Sequence, residues 1–362
     1  RPQDGPVDAS WYWAAPLLLD VAEEDGWNRA WLMRPRAHEA WTGGDGAERA
    51  EGSVWADHLT EARSVMADPA QLGRPPDDLV RVLARLAVGG PATCALRAFA
   101  RVSHGSTDFT NSNARDGAAR VAWGLRSFFN VPEVMALIRG RRTGSNPYWM
   151  KVVDYCVNGG LQAVLSEYAH ILRESLGFLE RDADRIVPAM AQTINEALSI
   201  RAATYSADDI EVADGVMALK QREIKLRARF ALRFGAQSLE DQSELQRAGV
   251  DRTAFNSPFW PFVLATTSVG QEGLDFHQYC HAIVHWNLPA NPVDLEQREG
   301  RVHRYKGHAI RKNLASAYRD SAFEDAVVDP WEALFAAGVN GRLPTDGDLV
   351  PFWVFAPPGG SQ

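Results

Sequence analysis

Residues 297–304 read Gln-x-x-Gly-Arg-x-x-Arg, inside the stretch VDLEQREGRVHRYKGH at 293–308. Gln297, Arg301 and Arg304 stand four and then three residues apart, a spacing that puts them on one face of a helix. That helix is predicted to start at about Asp294, a capping residue type, after a loop bracketed by Pro289 and Pro292. Gly300 would leave the face uncrowded. Two guanidiniums fixed on one face match the spread negative charge of a transferring γ-phosphoryl group. A solvated basic face is the plainer reading of the same residues. Against it, six basic residues face two acidic ones between Glu296 and Lys312, in a chain whose formal net charge is −8.

A second stretch, LATTSVGQEGLDFH at 264–277, reads as a buried strand running into Thr266, Thr267 and Ser268. A loop with Gly270 and Gly273 follows, then Asp275. Hydroxyls and backbone N–H groups at the carboxyl end of a strand are placed to grip phosphate oxygens. Glycines let a ligand approach the backbone, and a carboxylate after them can accept ribose hydroxyls. An ordinary strand–loop junction would use the same glycines.

Three other clusters hold residue types that could do chemistry. IRGRRTGSNPYW at 138–149 joins Arg139, Arg141 and Arg142 to Tyr148 and Trp149, either a backbone-contacting loop with stacking aromatics or a solvated loop. LKQREIKLRARF at 219–230 carries Lys220, Arg222, Lys225, Arg227 and Arg229, on a helix that faces solvent or DNA. HQYCHAIVH holds His277, Cys280, His281 and His285, but His281 and His285 flank an expected strand core, and no second Cys pair completes a C-x-x-C site. No metal site is expected there. No Ser/His/Asp or Cys/His constellation can be placed, so neither nuclease nor protease chemistry is expected.

The elements that must hold these residues divide the 362-residue chain into four parts. Residues 1–75 are rich in Trp, Gly, Asp and Glu with weak periodicity, and read as a linker or the edge of a missing N-terminal region. Residues 76–205 read as a helical insertion domain. Leu79, Val82, Leu83 and Leu86 recur at helical spacing; a helix pair breaks at Pro132; Leu161, Leu165, Tyr168 and Leu172 share a face; a last helix covers about 187–200. Residues 206–320 change character. RARFALRFG, PFVLATTSV and HAIVHWNLP are short apolar runs bounded by turn residues, and read as buried strands of a mostly parallel sheet. Residues 321–362 hold one short helix around WEALFAAG and a C-terminal extension that reads as truncated. The predicted class is therefore α/β, with a largely helical region ahead of the sheet.

Composition narrows the function classes. Hydrophobic residues make up 46% and charged residues 23%, an ordinary globular balance. No run of eighteen apolar residues occurs, so no membrane-spanning helix is expected. Cys94, Cys156 and Cys280 are widely spaced and suit free thiols in a reducing cytoplasm. An acidic pI of about 5.6 argues against a passive polyanion binder, but a motor can carry its positive charge locally in a groove.

The two motifs together, TTSVGQEGLDF and NLPANPVDLEQREGRVHR, closely resemble the last two conserved motifs of superfamily-two helicases and ATPases. They look most like those of the Swi/Snf-like or RapA-like bacterial DNA translocases. The resemblance covers about 215–320. It extends loosely to the helical region, which looks like insertions of large bacterial helicases, some of them tied to phage defence. It implies a RecA-like lobe, the second of two, with ATP and Mg²⁺ in the cleft between them and duplex DNA as partner. Defence-system proteins are further partners it would allow. By the same resemblance Arg301 and Arg304 are arginine fingers, Gln297 orients the cleft face, Gly300 keeps it open, and Gly273 and Asp275 meet the nucleotide sugar. Thr266, Thr267 and Ser268 would face nucleic-acid backbone. Apart from the resemblance, Arg141 and Arg142 of the 138–149 loop are the further candidate backbone contacts.

The first lobe of such an enzyme needs a P-loop, G-x-x-x-x-G-K-[ST]. None of the lysines (151, 220, 225, 306 and 312) follows a glycine, and no Asp-Glu dipeptide occurs. The expectation is a second lobe that needs a first lobe, in cis or as a separate chain. The rival is a non-catalytic DNA- or protein-binding module derived from such a lobe. Paired arginines favour the motor, because a scaffold has no use for aligned fingers.

Overall fold

A computed structural model describes residues 6–21, 54–103, 111–140, 146–178, 182–198, 203–213, 216–228, 252–259, 262–264, 276–323 and 328–356. The chain divides into two compact units, Arg1–Cys94 with Leu137–Gly160, and Ala95–Ala136 with Leu161–Gln362. In chain order the helices are α1 (Trp11–Val21), α2 (Val54–Ala67), α3 (Leu79–Gly89), α4 (Pro91–Val102), α5 (Ser112–Phe129), α6 (Pro132–Gly140), α7 (Tyr148–Val157), α8 (Gly160–Ser175) and α9 (Ala183–Leu198). Strands β1 (Ala203–Ala213) and β2 (Val216–Ala228) follow, then α10 (Pro292–Glu299), α11 (His308–Tyr318) and α12 (Pro330–Asn340).

The first unit is built on aromatic residues near its start. Ala14, Val65 and Leu72 form a buried cluster flanked by Trp11, Trp13 and Leu18. Two rings of α1 also satisfy their polar atoms. Trp11 Nε1–H donates to the Gly73 carbonyl at 2.7 Å, and the Tyr12 hydroxyl to Asp78 at 2.5 Å. Gly73 sits so close to Pro6 that a Cβ would stand 2.8 Å from its carbonyl oxygen. Trp149 lines a cavity of about 80 Å³ with Arg81, Arg85 and Asn146. Arg85 is ion-paired with Asp154, and Arg81 with Asp78, so this cavity has no excess of positive charge.

Eighteen residues within Leu79–Val102 have the length and mean hydropathy (1.4) of a spanning helix. The structure makes them two helices, because Gly90 is extended (φ −58°, ψ 145°) and Pro91 opens α4. Eleven or twelve residues reach about 17–18 Å, well short of a hydrocarbon core of about 30 Å.

In the second unit α5 and α9 pack closely because two glycines remove side chains at the crossing. A Cβ on Gly117 would stand 2.6 Å from Val187, and one on Gly124 2.5 Å from the Asn195 amide oxygen. Around them α5 buries Val121 and Leu125, and α9 buries Ile186, Met190 and Ile194. Leu161, Leu165, Tyr168 and Leu172 are buried along α8, as their spacing predicts. Each of these large apolar side chains contributes about 1.5–3 kcal/mol by leaving water.

The strands depart from expectation. β1 and β2 form a two-stranded antiparallel sheet, with Ala203 opposite Ala228 and Ala213 opposite Val216. The basic stretch from Lys220 to Arg227, read from sequence as a helix, is therefore strand. Its polar–apolar alternation from Glu223 to Ala228, and the Asp-Gly dipeptide at 214–215, are hairpin signals that outweigh helix propensity. Expected strands at 262–264 and 281–288 are described without strand pairing. Phe262, Val263, Val284, Trp286 and Leu288 are all exposed there. A buried parallel strand exists only between neighbours that accept and donate its backbone hydrogen bonds. Among the described residues no such neighbour stands beside 281–288, and the mostly parallel sheet is not found.

Candidate functional site

Helix α10 begins earlier than predicted. Asn291, not Asp294, is its cap, accepting from Val293 N–H at 3.1 Å, and Pro292 occupies the first helical position, where its missing N–H is harmless. Asp294 stands in the first turn, where its charge favours the helix N-terminus. The helix also ends earlier. Glu299 is its last residue, and Gly300 caps it with right-handed torsions (φ −59°, ψ −14°).

This changes the geometry of the arginines. Arg301 and Arg304 lie beyond α10 in a turn, so Gln297, Arg301 and Arg304 do not share one helix face. Gln297 and Arg304 are exposed, whereas Arg301 is buried at 9% exposure. The cause is local backbone bonding. Val302 and His303 N–H groups both bond to the Glu299 carbonyl, at 3.0 and 3.2 Å, which winds the chain into a tight exit turn. Gly300 serves that exit as a helix end, more than as an open face.

The turn is then stitched down from several sides. Phe276 N–H bonds to the Arg301 carbonyl at 3.3 Å, and His308 N–H to the His277 carbonyl at 3.0 Å. Gly307 N–H closes on the Arg304 carbonyl at 3.0 Å, and Lys306 N–H bonds to the Phe352 carbonyl at 2.7 Å. Lys306 has φ 51°, a left-handed torsion rare for a residue with a side chain. Its ammonium lies 4.4 Å from the centre of the Phe335 ring and ion-pairs with Glu174, which holds the strained residue in place. Arg304 is thus an exposed side chain on a backbone fixed at both ends.

Below the turn lies a charged layer that periodicity does not reveal. Along α8, Glu167, His170, Arg173 and Glu174 border the apolar face. Arg311, 1% exposed, donates from Nε to Glu167 at 2.8 Å, from Nη1 to the Lys306 carbonyl at 2.7 Å, and from Nη2 to the Gln278 carbonyl. Asp329 pairs with His170 at 3.0 Å and with Arg173 at 3.6 Å. Burial would raise the Asp329 carboxyl, but the hydrogen bond and charge of His170, with Arg173 beside it, hold it below the usual carboxylate range. Glu167 and Glu174 stand seven apart on α8, but their partners are more than 130 residues away in sequence, so the spacing does not reveal the layer.

His308, at the start of α11, is pushed down to about 4 from its ordinary 6.5, first by burial and then by the charges of Arg311, His281 and Lys312. The unfolded chain would take up its proton near 6.5 while the folded chain refuses it until about 4. Stability is therefore complete above pH 6.5 and is lost as pH falls from there through 4. With solvent screening allowed for, the loss is about 1–2 kcal/mol. Denaturant unfolding at a series of pH values checks it, and His308→Asn should flatten that part of the profile.

Thr266, Thr267, Ser268, Gly273, Asp275, Arg141 and Arg142 lie outside the described residues. Arg139, next to the last two, stacks on Tyr148 with its guanidinium carbon 5.1 Å from the ring centre.

Comparison with known proteins bears on this region. Residues 242–306 match the helicase conserved C-terminal domain family, a span that ends on Lys306 of the stitched turn. Over 42 residues the chain is 48% identical to the uncharacterized ATP-dependent helicase YqhH of Bacillus subtilis (strain 168). That alignment covers 12% of this chain and 7% of the relative. No solved structure matches. Gln297, Arg301 and Arg304 thus fall within the span that resembles a helicase C-terminal domain.

Proposed function

We propose that this chain supplies the second RecA-like lobe of a Swi/Snf-like ATP-dependent DNA translocase, with Arg304 as the finger that reaches ATP. The observation that carries the reading is the exposed Arg304 on a fixed turn, within the match to the helicase C-terminal domain. ATP hydrolysis there develops charge on the transferring phosphoryl group, and a guanidinium carried on a fixed backbone stabilises that charge with little reorganisation of the chain. Arg301, buried beneath the turn, acts with it, and Gln297 orients the adjoining face of α10. Gly273 and Asp275 meet the nucleotide sugar in this reading. The P-loop lysine and the carboxylates for Mg²⁺ belong to the first lobe, in cis or on a separate chain, since this sequence holds no G-K pair and no Asp-Glu pair.

Two measurements test it. The chain alone should show no DNA-stimulated ATP hydrolysis, and adding the first lobe should restore it. Turnover by the chain alone that survives loss of Arg301 and Arg304 would sink the reading.

DNA is the second arm. Thr266, Thr267, Ser268, Arg141 and Arg142 are proposed to meet phosphate backbone rather than base edges. Binding should then be sequence-independent and fall steeply with salt, about 0.9 log units per log unit of salt for each phosphate neutralised. An isotherm unchanged between low and moderate salt would favour the non-catalytic module.

A further inference from the structure

The buried charged layer under the turn has a use that the arginine motif does not supply. We propose that Arg311, on α11 and outside the motif, is the positioning residue of the arginine turn, with Glu167 of α8 as its counter-charge and Glu174 as that of Lys306. The proposal rests on the reading of Arg304 as a group that acts on ATP.

A guanidinium has five donors in a rigid planar fork. Arg311 uses three of its nitrogens on three different segments: the Glu167 carboxylate of α8, the Lys306 carbonyl at the end of the turn, and the Gln278 carbonyl. The Gln278 segment is the one whose neighbours Phe276 and His277 bond to Arg301 and His308. The Tyr279 ring lies 5.3 Å from the guanidinium carbon and closes another side. One side chain therefore fixes both the outgoing end of the turn and the segment that pairs with it.

The counter-charges come as a pair. Glu167 and Glu174 are two turns apart on α8, and each takes one cation of the turn region, Arg311 and Lys306 respectively. A buried cation needs such a partner, because its desolvation is not recovered otherwise. An apolar residue at 311 could fill the space. It could not bind two carbonyls, and these would be left to pull the turn elsewhere. Arg304 sits two residues before the Lys306 carbonyl, so movement there is passed directly to the finger. A displacement of about 1 Å at a reacting centre is enough for a rate loss of about 10²-fold.

The test compares Arg311→Lys and Glu167→Gln with the unchanged chain. Hydrogen exchange on the chain alone reads the turn: amides of 276–279 and 300–308 should exchange faster in Arg311→Lys, since an ammonium cannot span both carbonyls. Those of α5 and α9 should stay as they are. With the first lobe and DNA, Arg311→Lys should lower kcat about 10²-fold while KM for ATP stays within about threefold. Glu167→Gln, which keeps both carbonyl contacts, should lower kcat less than Arg311→Lys.

Faster exchange at the turn with unchanged kcat would overturn the proposal, leaving Arg311 merely structural. Unchanged exchange at 276–279 and 300–308 would overturn it as well, as would a rise in KM that accounts for the whole loss. If Arg311→Lys does not fold, Arg311→Gln, whose shorter amide cannot bridge the Lys306 and Gln278 carbonyls, carries the same two readouts. The failure of the proposed function looks different: Arg304→Ala would then keep full turnover, whatever the exchange at the turn.

Discussion

Arg304→Ala, measured with the first lobe restored, should lose about 10³–10⁵ in DNA-stimulated ATP turnover. At about 1.36 kcal/mol per tenfold, that is about 4–7 kcal/mol of transition-state stabilisation. A finger acts on charge that develops during transfer, so the loss belongs in kcat, and nucleotide affinity should move far less. Arg304→Lys should rescue poorly, because an ammonium cannot reproduce the planar fork. Affinity for DNA should hardly change. Arg301→Ala should also lower turnover, though Arg301 is buried under the turn and its removal will loosen the backbone as well. Near-normal turnover in Arg304→Ala would end the finger reading. A variant whose main defect was DNA binding would make the turn a backbone-gripping element and bring the non-catalytic module forward.

The second large effect concerns stability. Asp329→Ala should destabilise the second unit by about 3–5 kcal/mol, read by denaturant unfolding. Asp329 is 5% exposed, and it faces His170 and Arg173. Without it Arg173 is left as an uncompensated buried cation. The same carboxylate caps α12, accepting from Trp331 N–H at 3.0 Å and Glu332 N–H at 3.4 Å, worth about 1 kcal/mol of the total. Asp329→Asn should recover the cap and little else. A loss under about 1 kcal/mol for Asp329→Ala would show that the pair is not sustained in solution. Acid should mimic the change. The folded carboxyl titrates below 3.8, so its contribution is present above that value and is lost as pH falls through the lower folded value.

Much of the helical part was legible because it rests on near neighbours. Leu79 to Leu86, the break at Pro132 and the buried row Leu161–Leu172 are i, i+3 and i+4 patterns, and their helices form where the patterns stand. The motif Gln297–Arg304 was legible as a candidate, because its residue types and spacing match a group that could face phosphate before any fold is known. Its shape was not. Spacing alone puts Gln297, Arg301 and Arg304 on a helix face, but continuing that helix requires later carbonyls to be free. The Glu299 carbonyl takes two N–H groups, Phe276 takes the Arg301 carbonyl and Phe352 takes Lys306 N–H, so the helix stops at Glu299. Strands at 281–288 were predicted from apolar content, which cannot supply pairing partners; partners are a property of the whole sheet. The layer joining Glu167, Glu174, Arg311, Lys306 and Asp329 was likewise beyond reach. Each of those residues is an ordinary surface type in sequence, and only folding brings them together across more than 130 residues, out of water, where a lone charge would be costly and a pair can be held.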